Sequence, residues 1–297
     1  LKYTLHALAL ARQRGDIFGE TVLMTNWGSA LRQQGKLAES LTVLFKSLEI
    51  AGANNLSPEI ARTSRRLADV YIDLENFPAV LAIAEQFADV SASVGVHPTE
   101  RVAKEATLSE LIRLAQHPKV IALGETGLDY YRENTAKTQQ QARFRQHIRA
   151  AIAVNKPLIV HTRQAKEDTL AILKEEGAHQ VGGVLHCFTE DLAMAEAAIE
   201  ANFYISFSGI LSFKKATELK SIAQHLPLQR LLIETDSPYL APMPFRGKPN
   251  QPAYVRYVAE TLAELRQSPL DKVAEQTSTN FFTLFKDAKS TLYSSNG

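Results

Sequence analysis

The sequence predicts an α/β protein whose parallel strands are covered by helices, preceded by an all-helical segment. Three observations carry that expectation. Between residues 90 and 236 six short runs recur that are rich in β-branched residues and Leu. Amphipathic helical patterns fill the intervals, and this alternation marks a parallel sheet with helices packed on it. Upstream, residues 21–86 carry helical periodicity instead. On pattern alone, a doubly wound sheet and a TIM-like barrel both satisfy the alternation.

In chain order, Leu23, Trp27, Ala30 and Leu31 fall on one helical face, Gly35 sits in a tight turn, and Leu37, Leu41, Leu44 and Leu48 continue the spacing. The stretch TNWGSALRQQGKLAESLTVLFKSLEI resembles a tetratricopeptide repeat, with Gly28 and Ser40 at the small positions where paired helices approach. A weaker second copy follows at a 40-residue offset, placing Ala68 where Gly28 stood, after a loop through Asn54, Asn55, Ser57 and Pro58. Ser57 and Pro58 suit a helix N-cap and first position. A pair of unrelated amphipathic hairpins is the alternative. Two repeats are too few to bury a continuous core, so this apolar face needs cover.

The expected strands are 90–96, 120–125, 157–161, 183–188, 203–209 and 231–236, with helices over 139–154, 165–176, 191–201 and 214–225. Residues 241–245, APMPF, read as a rigid loop.

Composition narrows the function classes. The 297 residues hold 33 Lys and Arg against 32 Asp and Glu, a formal charge of +1. That balance excludes a globally basic nucleic-acid binder but leaves room for a local basic groove. The single cysteine, Cys187, cannot form an intramolecular disulfide and fits a reducing, cytoplasmic setting. Neither a membrane-spanning apolar stretch nor a signal peptide is expected.

Five of the runs stop at an ionisable residue: His97, Glu125, His161, His186 and Asp236. Residues at the carboxyl ends of parallel strands converge on one face, where α/β proteins place their chemistry. Three imidazoles with carboxylates make a ligand set for Zn, Mn or another divalent ion. The other histidines read as ordinary: His6, His147, His179 and His225 as solvated side chains, and His117 as part of a turn before Pro118. Strand alternation turns Cys187 away from His186, toward the core.

The segments SVGVHP, VIALGETGLDYY, KPLIVHTR, GGVLHCFTED, FYISFSGI and LLIETDSPYLAP resemble the TatD family of metal-dependent deoxyribonucleases, over about residues 89–284. The resemblance implies a TIM-like barrel that carries one or two divalent ions (Mg, Mn or Zn) and hydrolyses phosphodiester bonds, commonly as a 3′–5′ exonuclease. It implies that Glu125 is the metal-bridging carboxylate and that His161 and His186 are imidazole ligands. Asp236 would hold a metal and orient or deprotonate the attacking water. His97 and Asp129 match positions lining the same pocket, and Arg163 matches a phosphate contact. For Asp129 and Arg163, a helix N-cap and a surface ion pair are the structural alternatives.

The sequence also departs from that family. Members normally open with a strand ending in a His-x-His pair, then a second strand; here the region holds the repeat-like helices, and the only upstream histidine is His6. The barrel is therefore expected to lack its first two strands, with residues 1–86 as a tetratricopeptide-like segment and 87–290 as the hydrolase. With Leu1 at its start, the chain reads as a hybrid of two partial domains. Without the pair, Glu125, His161, His186 and Asp236 are expected to complete one ion site and leave a second ion only the shared carboxylate. The leading reading is a deoxyribonuclease, impaired by that loss, acting on single-stranded DNA 3′ ends. A metal-dependent hydrolase of another ester or amide is the runner-up. A third reading is an adaptor whose helices bind a protein partner beside an inert barrel.

Overall fold

The computed structural model describes residues 2–33, 39, 43–44, 46–47, 50, 77–87, 89–102, 105–132 and 135–288. The chain divides into two compact units: residues 1–79 with 237–241 and 245–252, and residues 80–236 with 242–244 and 253–297.

In the first unit, α1 (Lys2–Arg14) and α2 (Ile17–Gln33) are joined by a turn at Gly15, whose φ of +65° suits a residue without a Cβ. Asp16 caps α2 through its carboxylate, which accepts from the Gly19 amide at 2.8 Å. Leu8, Met24, Leu31 and Val43 form the buried cluster, with Leu23, Trp27 and Ile50 packed against it. A Cβ at Gly28 would lie 2.5 Å from Leu44 Cγ, so this position does admit a close approach. The expected second repeat and its loop, over residues 51–76, lie outside the described residues.

The second unit opens with α3 (Phe77–Gln86), most of which belongs to it, and continues as strand, loop and helix. Its strands are β1 (Ala92–Val94), β2 (Val120–Asp129), β3 (Leu158–Arg163), β4 (Gly183–Leu185), β5 (Phe203–Phe207) and β6 (Leu231–Ile233). All are parallel and lie in sequential order, one in each expected run. The intervening helices are α4 (Leu108–Ala115), α5 (Lys137–Val154), α6 (Lys166–Glu175), α7 (Leu192–Glu200) and α8 (Thr217–His225), with α9 (Val255–Leu265) and α10 (Leu270–Leu284) after β6. Thr107 starts α4 with a capping box to Glu110, and Asp191 starts α7 by accepting from the Met194 amide. Sequential parallel order is that of a TIM-like barrel. Among the described residues, β1 and β6 each pair with one neighbouring strand.

Burial follows from this layering. Nine of the ten residues of β2 are buried, as expected of a strand covered on both faces. Phe144 and Ile148 of α5 are fully buried, as are Leu123, Leu128, Leu158 and Val160 on β2 and β3.

His147 corrects the sequence reading, because it is 1% exposed rather than solvated. Its Nε2 accepts from the Val96 amide at 3.1 Å, so its Nδ1–H donates to the Arg143 carbonyl at 2.8 Å. Arg143 itself donates to the carbonyls of His97, Pro98 and Glu100 and pairs with Glu105. Together these two α5 residues hold the loop after β1. Burial, reinforced by the Arg143 charge, pushes the His147 pKa down to about 4 although Glu105 lies near. A histidine depressed in this way takes up its proton more readily when unfolded, so stability is full above about pH 6.5 and falls toward pH 4. The loss over that window is about 3 kcal/mol. Urea titrations at pH 7 and pH 4.5 should show His147→Gln losing clearly less stability between the two than the wild type. Equal losses would contradict the assignment.

Candidate metal centre

The polar groups at the carboxyl ends of β1 to β6 are brought together, and β2 shows how. Leu123 pairs with Leu158 and Thr126 with Val160, so three steps along β2 match two along β3. That extra residue is a bulge, a device that re-aims a side chain. Glu125 sits inside it. Glycines flank the carboxylate because nothing larger fits: Gly124 has φ +149° and Gly127 φ +131°. A Cβ on Gly127 would run into the His161 carbonyl oxygen, and one on Gly124 into that of Ile159. Gly127→Ala is therefore expected to destabilise the protein by roughly 2–4 kcal/mol and to weaken metal binding by displacing His161. A denaturation midpoint and a metal titration within error of the wild type would refute this.

Glu125 is the hub. Its Oε1 lies 3.0 Å from His161 Nδ1, 2.9 Å from His186 Nε2 and 3.4 Å from His97 Nε2. Burial favours its protonated form, but the His186 charge and the hydrogen bonds from the three imidazoles outweigh it and hold the carboxyl well below the usual range. His161 and His186 are each flanked by two carboxylates. His161 Nε2 is 3.1 Å from Asp129 Oδ2, and His186 Nδ1 is 2.9 Å from Glu234 Oε1. Burial opposes charging either ring, yet these neighbours raise both pKa values, that of His186 well above normal. Asp236 behaves oppositely: burial, with the charges of Glu234 and Glu125, pushes it up to about 6 against the pull of His186.

Each expected site residue can now be placed. His97, Glu125 and His161 offer ligand atoms within 4.8 Å of one another, and so do His186, Glu234 and Asp236. The Glu125–His186 contact joins the two groups. The described residues thus offer two groups of three where the sequence suggested one group of four. Asp129 is 1% exposed and caps no helix: its Oδ1 accepts from the Tyr131 and Arg132 amides of the following turn, while Oδ2 meets His161. Arg163 forms no salt bridge among the described residues; its guanidinium stacks 3.8 Å from the Tyr131 ring centroid. Cys187 stays out of both groups, its sulfur 3.3 Å from Ser208 Oγ and its thiol pushed up to about 12 by burial.

Glu234 is the residue that sequence reasoning missed. It lies just past the end of β6, two positions before Asp236, and its carboxylate meets His186 Nδ1. The signal was the E-x-D spacing at the end of β6. The donor set suits a divalent cation. Four carboxylates face three imidazoles, so net negative charge remains even with every ring protonated, and mixed N and O donors fit Zn or Mn.

A parallel α/β scaffold with imidazoles and carboxylates gathered at its strand ends defines a metal-dependent hydrolase. The chain belongs to the TatD related DNase family, whose pattern matches residues 51–286. That match begins upstream of the segments by which the sequence resembles the family. The chain is 52% identical over 197 residues to the metal-dependent hydrolase YcfH of Escherichia coli K12, covering 66% of this chain and 74% of the relative. It is 33% identical over 209 residues to the 3′-5′ ssDNA/RNA exonuclease TatD of Escherichia fergusonii, covering 68% and 80%. Among solved structures, the TatD homologue YJJV of Escherichia coli K12 superposes with a TM-score of 0.67 at 31% identity, over 71% of this chain and 83% of the other. Among the described residues, no helix is long and apolar enough to cross a membrane.

Proposed function

We propose that the chain hydrolyses phosphodiester bonds of DNA, removing nucleotides from single-stranded 3′ ends. The observation that carries this reading is the pair of three-residue groups meeting at Glu125, because hydrolysis of an anionic ester calls for concentrated positive charge beside a base. Support comes from the 33% identical relative named as a 3′-5′ ssDNA/RNA exonuclease. His97, Glu125, His161, His186, Glu234 and Asp236 would hold one or two divalent ions. A divalent ion there supplies charge against the phosphate oxygens and lowers the pKa of water.

The chain's own residues do the rest. Asp236 takes the proton of the attacking water, its carboxylate standing beside His186 and Glu234 where the water would be held. Glu125 stays ionised and keeps His97, His161 and His186 turned toward one point. Asp129 fixes His161 from behind, a supporting role that tunes ligand orientation. Arg163, which forms no salt bridge among the described residues, meets a phosphate of the substrate. All these groups fall between residues 97 and 236, so we assign the hydrolase to residues 87–290 and give residues 1–86 no part in the chemistry.

The test is a 5′-labelled single-stranded oligonucleotide with the full chain and Mn²⁺ or Mg²⁺. A ladder of products shortened from the 3′ end, absent in EDTA, is expected. Intact oligonucleotide under all conditions, or cleavage that survives EDTA, would overturn the reading.

A further inference from the structure

Two adjacent tyrosines follow Asp129, and their surroundings differ. Tyr130 is committed to the fold: its hydroxyl donates to Asp168 Oδ2 at 2.6 Å and accepts from Gln141 at 2.8 Å, and the Lys137 ammonium lies 4.2 Å from its ring centroid. Its hydroxyl pKa is pushed up to about 12, by burial first and by Asp168 second. Tyr131 has no such commitment. It is 57% exposed, and among the described residues its side chain has no hydrogen-bond partner. Its backbone is nevertheless fixed, through the amide bond to Asp129 Oδ1. Large exposed aromatics beside a catalytic cluster need a reason, and packing does not provide one here.

The placement is specific. Arg163 follows His161 by two residues, on the same face of β3, and pairs in register with Asp129. The Tyr131–Arg163 stack therefore stands one step toward the mouth from the His161–Asp129 contact. It joins a guanidinium, which forms no salt bridge among the described residues, to a ring exposed to solvent. These are the two parts of a single-strand nucleic-acid platform, an aromatic face for a base and a cation for the backbone.

We propose that Tyr131 and Arg163 form a subsite for the unpaired nucleotide next to the bond being cleaved, with the base stacked on Tyr131 and its phosphate on Arg163. The proposal rests on the phosphodiesterase reading and deepens it, naming Tyr131 as a specificity-determining residue. A base inside a duplex already has neighbours on both faces and cannot use the ring. The subsite thus selects single strands.

The test separates binding from cleavage. Fluorescence anisotropy in EDTA compares a labelled dodecamer of deoxythymidylate with an abasic dodecamer of the same charge, on the wild type, Tyr131→Ala and Tyr131→Phe. The wild type should prefer the base-bearing strand by about tenfold or more, since stacking on one aromatic ring is worth that much. Tyr131→Ala should erase the preference, and Tyr131→Phe should keep it. Equal binding of the two strands by the wild type, or a preference retained in Tyr131→Ala, would overturn the subsite. Cleavage by the wild type with Mn²⁺ reports separately on the phosphodiesterase reading, so a failure of either is distinguishable from a failure of the other. Because Tyr131 is exposed, thermal denaturation of both variants should match the wild type, which keeps lost binding from being mistaken for lost folding.

Discussion

Asp236→Asn is expected to abolish hydrolysis and, in the same molecule, to make the metal-free protein more stable. The first effect follows from the proposed function, in which the substitution removes a ligand charge and the base together. Loss of a general base alone costs roughly 10²–10⁴-fold in rate. The second follows from linkage. A carboxyl raised from 3.8 to about 6 in the folded state favours folding below about pH 4 and loses that contribution as the pH rises through 6. Above pH 6 the ionised group, buried and also crowded by Glu234 and Glu125, opposes folding by on the order of 2 kcal/mol. Asn carries no charge and relieves that repulsion. Denaturant midpoints in EDTA at pH 7.5 should rise while the rate falls to background; a lower midpoint or a rate within tenfold of the wild type would contradict the assignment.

Glu125→Gln is the second large effect, and its signature differs. Glu125 is the one carboxylate that contacts all three imidazoles, at 2.9 to 3.4 Å. Its neutralisation leaves His161 and His186 with one charged partner each, Asp129 and Glu234. Both imidazole pKa values should fall, while affinity for divalent ions drops because the shared ligand charge is gone. Removing one member of a buried charge network costs about 3–5 kcal/mol, so this variant should lose stability where Asp236→Asn gains it. Imidazole titrations followed by NMR in EDTA check the first point, and thermal denaturation the second. Unshifted imidazoles would remove Glu125 from its central place.

The contrast between those two carboxylates shows what the sequence could and could not tell. Six strands were legible because each is a short apolar run, and five of the runs stop at an ionisable residue. His97, His186 and Asp236 stand just past strand ends, and His161 two residues before the end of β3. Glu125 lies deeper still: β2 runs on to Asp129, and the bulge beside Gly124 turns Glu125 into the site. No periodicity announces a bulge, although the paired glycines of GETG were its trace. Glu234 escaped notice because Asp236 ended the same run and drew attention to itself. His147 was misjudged for a different reason. A histidine in a helix among Arg and Gln reads as solvated, and only the loop after β1, remote in sequence, buries it against the Val96 amide. Neither orientation nor burial by distant segments is written in local pattern.

In the proposed function, six side chains between His97 and Asp236 hold divalent metal at the carboxyl end of the sheet. Titration of the metal-stripped chain with Mn²⁺, with the free ion followed by electron paramagnetic resonance, tests it most directly. At least one Mn²⁺ should bind per wild-type chain in preference to solvent, and that binding should be lost in Glu125→Gln. Free Mn²⁺ rising in proportion to addition from the first aliquot, or identical curves for wild type and variant, would contradict it.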